Sequence, residues 1–504
     1  MTDVSSATTL VTDPSGRRVD VRPPRKGWTL ILASVGVFMT SLDTLVVATA
    51  LPVLRLDLGA SLADLEWTVN AYNLAFACLL LTGAALGDRF GRRRMFNVGV
   101  FIFTVASVAA AVSPSVGALI AARALQGAGA AVVLPLTLTL ISEAFPAEQR
   151  GLAIGLSEGA FAGLAVAAGP VIGGVVVEGL DWRWIFWINV PIGLLLIPLS
   201  ARFLSESFGP RPQFDVIGNG LVAAGLLGVT WGLVRANTVG WGTAEVLLTL
   251  GGGAALVGAF VAWERRTRHP MVPLGLFRSR GFSTANAVTF CQYAALIGSL
   301  FLIAQFLQTS LGHSPLQAGI RTLPWTGTLM LAAPIAGALA DRLGNRPFMV
   351  LGLVLQAIGL AWMAAIAAPD LDYAWFALAL VVNGVGASMV FPAVLNTAVG
   401  SVPPQEIGVA SGTNGAFREV GGVFGVAILA VVFAQLGGFA SPQAFADGFG
   451  PAMWVGAALP ALGIVAALLA PKRQPAQTEA EADVVTTAEP FGRCAGRRLD
   501  EATA

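Results

Sequence analysis

The sequence predicts an all-α integral membrane protein in which two six-helix bundles are joined by two inserted linker helices, fourteen crossings in all. Three observations predict it. Of the 504 residues, 55% are hydrophobic and 12% are charged, too few polar groups to cover a water-soluble fold. The apolar residues fall into stretches near the ~20 residues that a helix needs to cross hydrocarbon. A charged loop pattern also occurs twice, at corresponding places in the two halves of the chain.

The apolar stretches of the first half cover residues 28–53, 65–87, 95–113, 115–142, 151–176 and 184–203. Two more follow, at 215–235 and 244–263. The last six are 280–310, 316–340, 347–367, 373–398, 406–435 and 449–470. This grouping divides the chain into a polar N-terminal tail (1–27), a first bundle (28–205), an inserted pair (206–270), a second bundle (271–471) and a C-terminal tail (472–504). The first apolar stretch is longer than a signal-peptide core and has no clean cleavage site, so it is kept as helix 1. The last segment, rich in Pro, Ala, Glu and Thr, has little to bury and is expected to be disordered.

Basic residues set the orientation. With both termini in the cytoplasm, about 24 of the 30 Lys and Arg lie in inner loops and tails, against Arg55, Arg183 and Arg235 outside. Shifting the count by one helix would invert this. Arg123, Arg321 and Arg418 remain within helices. Cys78 and Cys291 lie in apolar stretches and Cys494 in the tail, a spacing that suits neither a disulfide framework nor a metal site. His269 and His313 stand near helix ends and receive no role. The net charge of +1 gives no reason to expect nucleic acid as a partner.

The internal repeat aligns Gly87-Asp88-Arg89-Phe90-Gly91-Arg92 with Ala340-Asp341-Arg342-Leu343-Gly344-Asn345. Pro146-Ala147-Glu148-Gln149-Arg150-Gly151-Leu152-Ala153 matches Pro403-Pro404-Gln405-Glu406-Ile407-Gly408-Val409-Ala410 in the same way. In the first pair of loops the glycines permit a tight turn, and Asp88 can face the positive N-terminus of a helix from the other bundle. Asp88, Arg89, Gly91, Arg92, Asp341, Arg342 and Gly344 are therefore candidate conformational-switch residues.

Asp43 lies near the middle of the first span, where an unpaired carboxylate is costly. It is either a proton or cationic-substrate site, the preferred reading, or a structural acid locked to an arginine. Arg123 is a guanidinium in hydrocarbon that must find acceptors, and the small residues after it let another helix come close. Gly169, Pro170, Gly173 and Gly174 allow a bend, since Pro removes a backbone hydrogen bond and Gly permits close approach. Glu158 and Glu419 are each either a second titrating site or a structural partner. Arg418 adjoins Glu419, but neighbouring helix positions diverge, so the two are expected not to pair. Arg321 is expected to snorkel or gate.

These residues carry a resemblance. The run Leu42-Asp43-Thr44-Leu45-Val46-Val47-Ala48-Thr49-Ala50-Leu51-Pro52, the loop after helix 2, Arg123-Ala124-Leu125-Gln126-Gly127-Ala128-Gly129, Gly169-Pro170-Val171-Ile172-Gly173-Gly174 and Trp182-Arg183-Trp184-Ile185-Phe186-Trp187-Ile188-Asn189 are similar to motifs of the major facilitator superfamily. Within it the chain resembles the fourteen-helix drug/proton antiporters, from helix 1 through helix 14. The chain departs from that pattern at Leu45, Ala48, Ala84 and Ala165.

The resemblance implies the major facilitator fold and proton-coupled export of amphipathic organic compounds by alternating access. It implies proton coupling at Arg123, and the acids within the spans, Asp43, Glu158 and Glu419, are the candidates to share in it, with a substrate cavity expected at Asp43, Glu158 and Arg418. It also implies no cofactor beyond the proton gradient, a monomer in the lipid bilayer, and a bacterial plasma membrane location. A dedicated exporter of one secondary metabolite or lipid is the alternative. A membrane enzyme would need a nucleophile and base in register, which the sequence does not offer.

Overall fold

A computed structural model describes residues 9–12, 18–21, 25–209, 215–268, 270–403 and 406–471. Ahead of the helices, β1 (Thr9–Thr12) pairs antiparallel with β2 (Arg18–Val21), a small two-stranded pairing in a tail expected only to be polar.

The first bundle comprises α1 (Lys26–Leu58), α2 (Leu62–Phe90), α3 (Arg92–Ala111), α4 (Val116–Ala144), a fifth crossing and a sixth. The fifth is built from α5 (Ala147–Ile154), a π-helical stretch (Gly155–Phe161) and α6 (Ala162–Gly179); the sixth is α7 (Trp184–Trp187) followed by α8 (Asn189–Phe203). The inserted pair is α9 (Val216–Val239) and α10 (Ala244–Glu264). The second bundle comprises α11 (Arg280–Thr309), α12 (Pro315–Arg321), α13 (Leu323–Leu343), α14 (Asn345–Ala365), α15 (Tyr373–Val399), α16 (Ile407–Leu436) and α17 (Pro442–Leu469).

Among the described residues, thirteen helical spans are long and apolar enough to cross a bilayer. The tenth expected span, 316–340, is not among them: it is divided at Thr322 into α12 and α13. Pro324 lies just beyond the division and has no N–H to carry the hydrogen-bond ladder across it. The fifth crossing is likewise not one regular helix. Its π-helical turn contains Glu158, eleven residues before the expected bend at Gly169.

Both bundles pack by the same small-residue device. On α4 a Cβ at Gly127 would collide with the carbonyl of Tyr72 on α2, and one at Gly129 would stand 2.9 Å from the carbonyl oxygen of Gly99 on α3. On α15, Gly384 meets the carbonyl of Trp325 on α13 at 2.7 Å, and Gly386 that of Gly352 on α14 at 2.6 Å. Tyr72 and Trp325 thus occupy corresponding places in the two halves. Backbones this close exclude any Cβ, which explains the glycines.

Gly91 and Gly344, in the repeated loops, both adopt positive φ, 103° and 92°. Leu194, Leu195, Leu248 and Leu331 project outward, exposed as lipid-facing side chains are. The inserted α9 and α10 pack on each other, and α9 lies over the seam where α2 of the first bundle meets α16 of the second. There Trp67 and Trp231 are in ring contact at 5.6 Å.

The face of the bundle away from Lys26 and Leu469, here the distal face, is closed by contacts between the two bundles. Gln308 of α11 donates to the carbonyl of Thr49 on α1 at 2.9 Å. Glu178, at the end of α6, accepts from Ser314 Oγ at 2.6 Å and from the backbone N–H of Leu316 at 3.0 Å. The Arg55 guanidinium stands 3.8 Å from the centre of the Phe439 ring.

Candidate functional site

α1 and α4 bring Asp43 and Arg123 together in the interior of the first bundle, where both side chains are almost wholly shielded. Arg123 donates through Nη1 to Asp43 Oδ2 and to Gln126 Oε1 (2.9 Å), and through Nε to the carbonyl of Thr68 on α2 (3.2 Å). Its guanidinium also lies 4.4 Å from the centre of the Tyr72 ring, a cation–π contact.

The other oxygen of Asp43 is engaged as well. Asp43 Oδ1 accepts from Asn189 Nδ2 at 2.9 Å and from Gln126 Nε2 at 3.1 Å. Gln126 in turn donates to Ser107 Oγ on α3 at 2.8 Å. One acid and one base thereby tie α1, α2, α3, α4 and α8. A buried ion pair survives only when the remaining lone pairs and N–H groups are also satisfied, and this network supplies those partners.

Sequence reasoning singled out Asp43 and Arg123 but gave no role to Asn189, Tyr72, Ser107 or Thr68. Gln126 and Asn189 were visible as members of motifs. Tyr72 and Ser107 carry no signal of their own, because their place depends on how α2 and α3 pack on α4.

Arg418 and Glu419 do pair, against the expectation from their adjacency: Arg418 Nε donates to Glu419 Oε1 at 3.0 Å. The arginine stem is long enough to fold back toward its neighbour, and a site shielded from water rewards doing so. The guanidinium also lies 5.4 Å from the centre of the Tyr293 ring of α11.

The bend residues of the fifth crossing lie between the bundles. A Cβ on Gly169 would stand 2.5 Å from Leu45 Cβ, and one on Gly173 would stand 3.1 Å from the carbonyl oxygen of Val46, both on α1. On the other side, Gly174 would meet the carbonyl of Pro315 at 2.5 Å, and the Pro170 carbonyl abuts Gly319 of α12.

Asp88 is bonded within its own bundle rather than to a helix N-terminus of the other. Asp88 Oδ1 accepts from Arg92 at 2.7 Å and 2.8 Å, and Arg92 also reaches Glu143 of α4. Gly209 donates its N–H to the Asp88 carbonyl at 3.1 Å, and Arg92 donates its own to Ser207 at 2.9 Å. Glu206 accepts from the N–H of Arg93 at 2.9 Å. Burial pushes the Glu206 carboxyl up from its ordinary range, and the charge of Arg93 offsets part of the shift. Arg89 lies 5.5 Å from the Phe90 ring centre. The local sequence explains the arrangement: an acid at i and Arg at i+4 meet across the turn that Gly91 makes. The side chains of Glu158, Asp341 and Arg342 lie outside the described ones.

Comparison with known proteins agrees with this architecture. The chain is 37% identical over 427 residues to the tetracenomycin C resistance and export protein of Streptomyces glaucescens, covering 83% of this chain and 78% of that one. It is 35% identical over 448 residues to the probable actinorhodin transporter of Streptomyces coelicolor (86% and 77% covered). It is 33% identical over 408 residues to multidrug resistance protein Stp of Mycobacterium tuberculosis (81% and 75% covered). Among solved structures, a POT family transporter in complex with a thioalcohol-conjugated peptide superposes with a TM-score of 0.66 at 13% identity, covering 92% of this chain and 99% of that one. The family model described as Major Facilitator Superfamily matches residues 33–264 and 285–498. With the repeated glycine turns, the paired bundles and the match over most of its length, the chain belongs to the Major Facilitator Superfamily.

Proposed function

We propose that this protein exports amphipathic, antibiotic-like organic compounds from the cytoplasm in exchange for protons, by alternating access between its two bundles. The observation that carries the reading is the buried Asp43–Arg123 network. It couples one ionisable acid to five helices of one bundle, in a chain whose relatives are named for antibiotic export, actinorhodin transport and multidrug resistance. Protonating Asp43 removes the charge that Arg123 is paired with, which rearranges the network and biases one arrangement of the bundles over the other. Glu158 and Glu419 are the further candidate titrating groups, and Arg418 is the candidate substrate contact.

In the same reading, residues 28–205 and 271–471 are the rocking units and 206–270 the inserted pair. The protein works as a monomer in the bacterial plasma membrane with both termini in the cytoplasm. It requires no cofactor beyond the proton gradient. The repeated loops at Asp88–Arg92 and Asp341–Gly344 act as hinges on the cytoplasmic side. The segment around Gly169–Gly174, wedged between α1 and α12, is the element that must slide.

A second reading, export of a single secondary metabolite, is favoured by the relatives named for one compound each, such as the cephamycin export protein of Amycolatopsis lactamdurans. Both readings are tested in proteoliposomes carrying an internal pH dye and challenged with a panel of antibiotics and cationic dyes. Broad substrate-dependent proton movement supports a polyspecific pump, and movement with one compound class supports the dedicated exporter. No proton movement with any transported compound overturns antiport.

A further inference from the structure

Glu66 is a carboxylic acid that the Asp43–Arg123 network does not use. It stands one turn inside α2 from the distal face, is 1% exposed, and neither carboxyl oxygen has a hydrogen-bond partner among the described residues. Asn70, one turn further along the same stripe, is fully buried, and neither polar atom of its side-chain amide is bonded among the described residues. The two residues form a compact set of unmet donors and acceptors, in contrast to Asp43, both of whose oxygens are bonded.

The place of this set in the fold gives it a consequence. On α2 the stripe through Glu66, Asn70, Asn73 and Ala77 leads to Leu80 and Leu81, and those two leucines meet Gly415 and Gly412 of α16. The Tyr72, Gly83 and Gly87 stripe instead faces α4. Glu66 and Asn70 therefore point into the seam between the two bundles. Leu74, Cys78, Val423 and Leu226 of α9 pack together beside them and close the seam toward lipid.

We propose that Glu66, with Asn70, is a proton-binding site at the α2–α16 seam, and that loss of its proton opens the seam toward the distal face. In the closed seam the carboxyl is held as the neutral acid, because burial disfavours the ionised form and no donor or cation among the described residues is bonded to it. When the O–H bond breaks, the proton passes to water entering from the distal face. The carboxylate left behind is stable only if that water stays, which requires α2 and α16 to part. Rebinding a proton from the distal side dries the seam and lets it close. Because the site exchanges its proton with the distal side alone, it gates the seam and does not itself carry a proton across; it rests on the proton-antiport reading for its place in the transport cycle.

The charged and titratable groups on every helix packed against α2 are engaged elsewhere. On α1, Lys26 lies at the far end and donates to Gln149, Asp43 is bound in the network, Arg55 lies over Phe439, and Asp57 accepts from Trp182 and Arg183. On α3, Arg92 and Arg93 bond Asp88 and Glu206, and Arg94 is at the same far end of the bundle. On α4, Arg123 is in the network and Glu143 bonds Arg92. On α9, Arg235 bonds Glu245. On α16, Arg418 bonds Glu419. On α2 itself, Asp64 caps the helix through Ser61, Tyr72 donates to the Thr40 carbonyl, Cys78 is in the apolar cluster, and Asp88 and Arg89 lie at the other end.

The test is a spin-label distance between Ala63→Cys on α2 and Leu436→Cys on α16, with Cys78, Cys291 and Cys494 replaced by Ala, in proteoliposomes without substrate. From about pH 5.5 to about pH 8.5 the parent is expected to gain a longer-distance population several-fold, while E66Q keeps the short distance at both pH values. An E66Q protein that lengthens as the parent does, or a parent that does not respond at all, overturns the proposal. Should E66Q fail to fold, E66D serves: a retained response with a displaced midpoint supports the site, and no response overturns it. A flat E66Q beside a responsive parent stands even if the proton-movement assay fails. In that case the antiport reading falls and the seam site does not.

Discussion

Glu178, at the end of α6, accepts hydrogen bonds from Ser314 Oγ and the Leu316 N–H, so a carboxylate of the first bundle is bonded at the start of α12 in the second. The sequence suggested such a contact for Asp88; the structure has it at the opposite face. Glu178→Gln weakens charge-assisted bonds that hold the distal face closed, by about 1 kcal/mol or about fivefold in the closed population. Thiol labelling of Gly312→Cys, applied from the distal side, is expected to accelerate accordingly. An unchanged labelling rate would show that the bond does not hold this face.

The Asp43–Arg123 pair predicts an asymmetry between single and double replacements. Arg123→Ala leaves Asp43 buried without its cation and is expected to cost about 3–5 kcal/mol. Asp43→Asn with Arg123→Met removes both charges and is expected to recover most of that stability while remaining inactive in transport. Thermal melting of purified protein separates the cases; equal melting of the single and double variants would contradict the network. Asp43→Asn alone is expected to abolish pH-driven efflux from vesicles while the protein still reaches the membrane. Arg123→Lys is expected to fail in transport as well, since an ammonium cannot hold Asp43, Gln126 and the Thr68 carbonyl in the same geometry.

Close approach at the bundle boundary predicts that Gly174→Ala and Gly319→Ala block distal closure. A Cβ on Gly174 would stand 2.5 Å from the Pro315 carbonyl oxygen and 2.6 Å from Leu316 Cα. Gly163→Ala is the matched control, with its nearest neighbour, the Met330 side chain, at 3.7 Å. Transport in vesicles is expected to be lost in the first two and kept in the third. Full activity in Gly174→Ala would mean that this contact is not part of the cycle.

His313, in the loop between α11 and α12, has its pKa lowered from 6.5, first by burial and then by the charge of Arg321. The folded protein therefore favours neutral His313. Its contribution to stability is present above pH 6.5 and is lost as pH falls from there toward the lowered value. The melting temperature of the parent is expected to decline over that acid range, and His313→Asn is expected to flatten the decline. An identical pH profile in the variant would refute the assignment.

Much of the fold was legible because lipid imposes simple rules. Apolar stretches of sufficient length must be helices, and the duplicated Asp-Arg-x-Gly loops marked the second bundle. Gly127 and Gly129 announced close packing without naming the partners, Tyr72 and Gly99. The break at Thr322 and the π-helical turn around Glu158 were not legible, since hydropathy is blind to how a backbone divides its hydrogen bonds. Adjacency misled at Arg418 and Glu419 because side-chain length outweighed helical angle. For Asp88, the local pairing with Arg92 prevailed over a contact across bundles.

By itself the sequence determined the membrane setting, the two-bundle plan and the importance of an acid on helix 1 and an arginine on helix 4, since burying either charge in hydrocarbon demands a reason. Only the tertiary structure decided that these two are one another's partners and that Asn189, Gln126 and Tyr72 complete their shell. It also decided that Glu66 is buried with no hydrogen-bond partner among the described residues. Hydropathy and motif spacing act along the chain, whereas the satisfaction of a buried charge depends on atoms that packing brings from five helices at once.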